Sequence, residues 1–249
     1  MTLSLLKTRC CGRCCAVLLS PHADGRDLTH LLSPRFALDC EGLLLPPRFD
    51  VCKAGGRAQR ELDLSFAVGT YLSVCLGADR YEGGLLALSM RGDRLSLVLH
   101  ERLVSAPIFD RHVPLGARIL PFDLLTLDYP YAVSFFHALP LSRVPLADWG
   151  TRISQFGDFP HRTRAVFCEV LQDALALRVW DCEVGELPSS VTAATAALHL
   201  SLLRGILRVR ECITVRTRGG AMLLRACRVL GETHIDTESH VCFEAKVEI

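Results

Sequence analysis

The sequence predicts an α+β fold: one compact domain spanning residues 1–249, with largely antiparallel β-sheet at the two ends of the chain and helices from the 122–207 region packed around it. Three observations point there. Both chain ends carry short apolar runs with strand-like alternation, the middle carries helix-like periodicities, and no Gly-, Ser- or Pro-rich linker divides the chain. With 249 residues, half of them hydrophobic, the chain can bury a large core and is too apolar to be disordered.

Taken in order, Ala16 to Leu19 reads as a first buried strand. Residues 21–56 are loop-rich, with PRF at 34–36 and again at 47–49, and Gly55-Gly56 marks a turn. LDLSFAVGTYLSVCL (62–76) is rich in aromatic and β-branched residues and reads as strand. Leu85–Met90 and Leu95–Val104 form a hairpin around Arg91-Gly92-Asp93-Arg94, so its RGD tripeptide is a turn. FDLLTLDYPYAVSFFHAL (122–139) is expected to form brief helices around Pro130. Asp158-Phe159-Pro160 is expected to open a helix reaching Trp180, with Val166, Phe167, Val170, Leu171, Ala174 and Leu177 on its apolar side. Ser189-Ser190 caps a second helix, VTAATAALHLSLL, and HVCFEAKVEI ends the chain as a half-buried strand with Val241, Phe243, Ala245, Val247 and Ile249 on one face.

Lys plus Arg total 28 and Asp plus Glu 27, so no net field selects nucleic acid or an anionic membrane. No run is long and apolar enough to cross a bilayer, and the N-terminus lacks a secretion signal, which makes the twelve cysteines mostly reduced. Their densest cluster is CCGRCC, residues 10–15. Half a zinc site is present in Cys11-x-x-Cys14, but no second C-x-x-C or tight H-x3-H pair completes it, and His22 and His30 are poorly spaced. Cys10, Cys11, Cys14 and Cys15 are candidate S-acylation sites beside Lys7, Arg9 and Arg13; reduced cysteines flanking a first strand is the preferred reading. Phosphate-binding loops, G-x-S-x-G and H-E-x-x-H are all missing, so no catalytic residue, cofactor or metal ligand is assigned and the chain is read as non-enzymatic.

From Tyr81 onward the order of features resembles the herpesvirus cytoplasmic envelopment protein 1 family of tegument proteins. Tyr81, Gly83, Phe122, Phe159, Arg162, Arg164 and Phe167 anchor the resemblance, which runs through YEGGLLALS, LSLVLHERLV and WGTRISQFGDFPHRTRAVFCEVLQDALALRVW. It implies a betaherpesvirus-like tegument protein that binds a palmitoylated, ESCRT-III-like tegument partner and promotes secondary envelopment and egress of virions. The expected location is then the virion tegument, the host cytoplasm and the Golgi or trans-Golgi region, with membrane contact through the partner and no nucleic acid bound. Leu200, Leu203 and Leu207, on a second apolar stripe of the Ser190 helix, are the candidate partner surface. Tyr129-Pro130 is similar to a late-domain motif for host ESCRT-associated proteins, with a Pro-kinked core helix as the preferred reading. Two alternatives stay open: a zinc- or nucleic-acid-binding regulatory factor, and a non-catalytic dUTPase-related β-domain.

Overall fold

Side chains that alternate along extended backbone dominate the computed structural model, which describes residues 2–20, 40–46, 50–52, 62–78, 80–83, 86–100, 106–137, 139–172, 174–208, 212–227 and 232–248. In chain order the elements are β1 (Thr2–Cys10), β2 (Arg13–Leu18), β3 (Gly42–Leu45), β4 (Asp50–Cys52), α1 (Phe66–Leu76), β5 (Arg80–Gly83), β6 (Leu86–Arg91) and β7 (Arg94–His100). There follow β8 (Ile108–Leu115), β9 (Arg118–Thr126), β10 (Pro130–Phe136), α2 (Leu146–Ser154), β11 (Arg164–Val170), β12 (Ala174–Asp181) and β13 (Gly185–Leu187). The last are α3 (Val191–Leu203), β14 (Ile213–Thr217), β15 (Gly220–Cys227) and β16 (Glu232–Glu248). The class is α+β with strand predominant. Two compact units divide the chain, residues 1–97 with 236–249 and residues 98–235.

In the first unit, strands run in the order β4-β3-β2-β1-β16, and β5, β6 and β7 join through β7 to β16. The β1–β2 connection is the CCGRCC run. Cys11 and Gly12 both adopt left-handed backbone (φ 46° and 78°), the requirement of a tight two-residue hairpin turn. Alternation then turns Thr8, Cys10, Arg13 and Cys15 inward, all buried. Arg13 is held there by two carboxylates, with Nε on Glu41 at 2.9 Å and Nη1 on Asp63 at 3.0 Å. Helix α1 packs against β1, β2, β5 and β6. Phe66 to Thr70 and Leu72 are buried, while the last turn leaves Val74 and Leu76 51% and 60% exposed.

That helix corrects the strand expected over 62–76. Its residues are largely apolar without alternating, and such a run fits a helix as well as a buried strand. The hairpin around residues 91–94 forms as expected between β6 and β7, although residues 101–104 lie outside the described residues. So do the PRF tripeptides, Gly55-Gly56, His22 and His30. β16 is a strand, but its expected burial is corrected: Val241 and Phe243 are 38% and 41% exposed, while Thr233, Ile235, Thr237 and Ser239 are buried.

In the second unit the order is β15-β14-β12-β11-β10-β9-β8, with β13 on β12; β10–β11 and β12–β14 are parallel and the other described registers antiparallel. Two expected helical regions are strands here. Residues 122–139 form most of β9 and β10, with Pro130 at the first position of β10, where a strand tolerates it. Residues 160–180 form β11 and β12. The apolar spacing in RAVFCEV was compatible with both periods, and the β-branched and aromatic residues decide for strand. Ala165 and Phe167 face α2, where Phe122, Phe136, Trp149 and Phe159 complete an aromatic core. Helix α2 sits so close to β12 that a β-carbon on Gly150 would lie 2.2 Å from the Trp180 ring.

Candidate active site

The opposite face of the same strands builds a buried polar cluster. Tyr131 and Arg164 are register partners on the parallel β10–β11 pair, one residue out of phase with Ala132 and Ala165 of the aromatic core. Both therefore point toward α3, which packs against β9, β10, β11 and β15. Asp181 ends β12 next to Trp180 and faces the same way.

Helix α3 begins where these side chains converge. Ser190 adopts extended backbone (φ −153°) and its Oγ accepts the Ala193 N–H at 3.0 Å, a side-chain cap of the helix start. Thr192 Oγ1 lies 2.5 Å from Tyr131 Oη, which donates to Asp128 Oδ1 at 2.9 Å and accepts from Arg164 Nη1 at 3.3 Å. Arg164 Nε donates to Asp181 Oδ2 at 2.7 Å. Its guanidinium lies over the Tyr129 ring, 3.7 Å from the centroid, and the Arg162 guanidinium approaches the same ring at 5.5 Å. Arg162 holds a left-handed φ of 65°, a conformation that costs energy in a residue with a β-carbon, and pairs with Glu183 at 2.8 Å.

Electrostatically the cluster is fixed in one state. Burial alone would raise the Asp181 pKa, but Arg164 and the N–H groups of Glu183 and Val184 overcome that and hold it below the usual carboxylate range. A charged Asp181 keeps Arg164 in place. Arg164 in turn steadies Tyr131 beside the positive end of the α3 dipole. A helix start lined by Ser190, Thr192, Tyr131 and an arginine suits the binding of an anion or the stabilisation of negative charge that develops during a reaction. Among the described residues, no group of three or more His, Cys, Asp or Glu side chains is placed to hold a metal ion.

Tyr129 and Pro130 lie at this cluster in the β9–β10 turn, where Tyr129 carries the two guanidinia; the kinked helix expected there is replaced by a hairpin. Leu200 is fully buried in α3, Leu203 is 57% exposed and Leu207 is half-buried beyond the helix end, so the three do not form one exposed stripe. Gly205, at φ 69°, ends the helix before the stripe can continue. Cys10 and Cys15 are buried, Cys11 and Cys14 half-buried. The sequence reading named Ser190 as a cap and Arg164 as a resemblance anchor but missed Tyr131, Asp181 and Thr192 as partners. Alternation in β10 and β11 was the signal that would have grouped Tyr131 with Arg164.

No protein-family model matches the chain. A diaminopimelate epimerase of Wolbachia sp. subsp. Brugia malayi is 32% identical over 130 residues, covering 47% of this chain and 50% of that protein. The chain thus spans about half the length of the curated relatives it matches. Among solved structures, a hydroxyproline epimerase from Agrobacterium vitis with bound trans-4-hydroxy-L-proline aligns with 99% of this chain and 92% of its own, at TM-score 0.69 and 15% identity. A phenazine-biosynthesis PhzC/PhzF protein of Clostridium difficile aligns over 99% of this chain and all of its own, at TM-score 0.67 and 11% identity. The fold is the one these proteins share.

These similarities overturn the tegument reading. The anchors Phe122, Phe159 and Phe167 are aromatic core residues, Phe122 in edge contact with each of the other two, and any fold with that core can satisfy them. With the resemblance go the non-enzymatic expectation, the palmitoylated partner, the host ESCRT-associated proteins, envelopment and egress, and the tegument and Golgi location, because the relatives matched are epimerases of cellular organisms. Neither the zinc- or nucleic-acid-binding factor nor the dUTPase-related scaffold is supported. No helix of the described residues is long and apolar enough to cross a membrane.

Proposed function

We propose that the chain is an isomerase of the epimerase or racemase type, acting on a small carboxylic acid with an ionisable C–H next to the carboxylate. The observation that carries this reading is the start of α3, where Ser190, Thr192 and Tyr131 meet a buried, charge-neutralised Arg164. Loss of a proton beside a carboxylate places extra negative charge on that carboxylate. A preorganised helix start, with its dipole and aligned backbone N–H groups, stabilises such charge more in the transition state than in the ground state. The similarity to named epimerases supports the reaction class, and the bound hydroxyproline of the Agrobacterium vitis enzyme supports an amino or imino acid as the substrate class.

We also read residues 1–249 as one functional domain, since β1 pairs with β16 within the first unit. The test is hydrogen exchange. Purified protein is incubated in D2O with a panel of free amino and imino acids, and the Cα–H signal of each is followed by proton NMR. Exchange reports C–H cleavage whether or not inversion follows. Ser190→Gly, which a helix start tolerates at a cost of only a few tenths of a kcal/mol, is expected to slow it, because the Oγ that fixes the first turn of α3 through the Ala193 N–H is lost. If no acid of the panel exchanges above the rate without protein, the proposal fails.

A further inference from the structure

The hairpin tip of CCGRCC, in the first unit, places two neighbouring thiols against one buried hydroxyl. Cys10 ends β1 and Cys11, the next residue, opens the turn. Cys11 Sγ also lies 3.0 Å from Thr237 Oγ1 on β16, with Cys10 Sγ at 3.9 Å from the same oxygen. Cys10 is buried on the inner face of the hairpin, whereas Cys11 occupies the turn and is half-buried.

We propose that Cys11 is a peroxide-sensitive modification site and that Cys10 is its resolving thiol. Three features make Cys11 the nucleophile. Hydrogen bonds from Cys10 and Thr237 stabilise its thiolate, and they outweigh both burial and the nearby Glu238 carboxylate, so its pKa falls to about 7. The Cys10 thiol is held protonated, because it donates to Cys11 and is itself buried; Arg13 offsets only part of this. Cys15, Cys75, Cys168 and Cys182 are all shifted upward, mainly by burial. Of the described cysteines with a shifted thiol, Cys11 alone moves down.

The chemistry closes with a hydroperoxide as the only co-reactant. The Cys11 thiolate attacks the distal peroxide oxygen, the O–O bond breaks, and the alcohol (or water, from hydrogen peroxide) leaves with a proton. Cys11 is then a sulfenic acid. With Cys11 oxidised, the thiolate that held the Cys10 proton is gone. Cys10 gives that proton up as its sulfur attacks the Cys11 sulfur, an S–S bond forms, the S–O bond breaks, and hydroxide leaves as water with the Cys10 proton. Two thiols are oxidised by two electrons to a disulfide and one hydroperoxide is reduced.

The expected rate advantage is modest. At pH 7 a thiol with a pKa near 7 is half thiolate, against roughly 3% for an ordinary thiol. Lower basicity takes back about fivefold in nucleophilicity, leaving roughly threefold. In the intact protein at pH 7, iodoacetamide labelling followed by peptide mass spectrometry is therefore expected to modify Cys11 about threefold faster than the exposed Cys242, with a midpoint near pH 7. Thr237→Val removes one hydrogen bond at nearly constant volume and is expected to move that midpoint upward, which a merely structural threonine would not do. After hydrogen peroxide, the peptide carrying Cys10 and Cys11 should lose two hydrogens and regain them with dithiothreitol. In Cys10→Ser, dimedone should instead trap a sulfenic acid on Cys11. The proposal is overturned if Cys11 is no more reactive than Cys242, if Thr237→Val leaves the pH profile unmoved, or if the oxidised partner is Cys14.

Discussion

Replacing Asp181 by Asn tests whether the α3 cluster depends on a buried ion pair. Arg164 is 1% exposed, so Asn would strand a guanidinium out of reach of water. Removing one partner of a buried pair costs about 3–5 kcal/mol. Two features soften the loss here. The Asn carbonyl still accepts the Glu183 N–H that Asp181 now binds at 2.8 Å, and Arg164 keeps the Tyr129 face and the Tyr131 hydroxyl. The expected cost therefore sits at the low end, about 3 kcal/mol, or roughly 6–12 °C in Tm for a chain of this size. Urea denaturation at neutral pH measures it. The pH dependence adds a second readout. Because the Asp181 pKa is lowered on folding, the unfolded chain binds the extra proton. The ion pair thus contributes fully above the unfolded pKa of about 3.9 and is lost as pH falls through the folded value. The gap between wild type and Asp181→Asn should be widest at neutral pH and narrow below about pH 4. Arg164→Met combined with Asp181→Asn removes the stranded charge and should recover much of the loss. A single variant that loses less than about 1 kcal/mol, or a double variant weaker than the single, refutes a structural ion pair here.

Three further outcomes follow from the packing around the helices. Ser190→Ala removes the α3 cap and should cost about 1 kcal/mol in urea denaturation, with Ser190→Gly costing less; equal losses would mean the cap is unimportant. Gly150→Ala should destabilise by about 1–3 kcal/mol despite the better helix propensity of alanine, because its methyl meets Trp180 in β12; unchanged Trp180 fluorescence and stability would show that α2 can shift. Leu200→Glu should unfold the second unit, whereas Leu203→Glu should change stability by about 0.5 kcal/mol or less, as circular dichroism melts of the two single variants would show.

What the sequence revealed depended on whether one period fitted a segment alone. The β6–β7 hairpin was legible because Arg91-Gly92-Asp93-Arg94 interrupts two alternating runs. The start of α3 was legible because Ser190 precedes a run rich in alanine and leucine, the best helix formers. RAVFCEV failed the same reading, since apolar residues on both faces of a strand packed against both α2 and α3 erase the alternation that marks a strand. That error hid the site. Read as a helix, residues 164–180 scatter Arg164 and Val166 around a cylinder. Read as a strand, they put Arg164 on one face with Val166 and Cys168, Phe167 on the other, and Tyr131 opposite Arg164 on the neighbouring strand. The long-range pairing of residues 131, 164, 181 and 192 then follows from register, which no local pattern encodes. The resemblance that misled the functional reading has a related root: three of its seven anchors, Phe122, Phe159 and Phe167, are core aromatics, and core aromatics report how a protein packs rather than what it does.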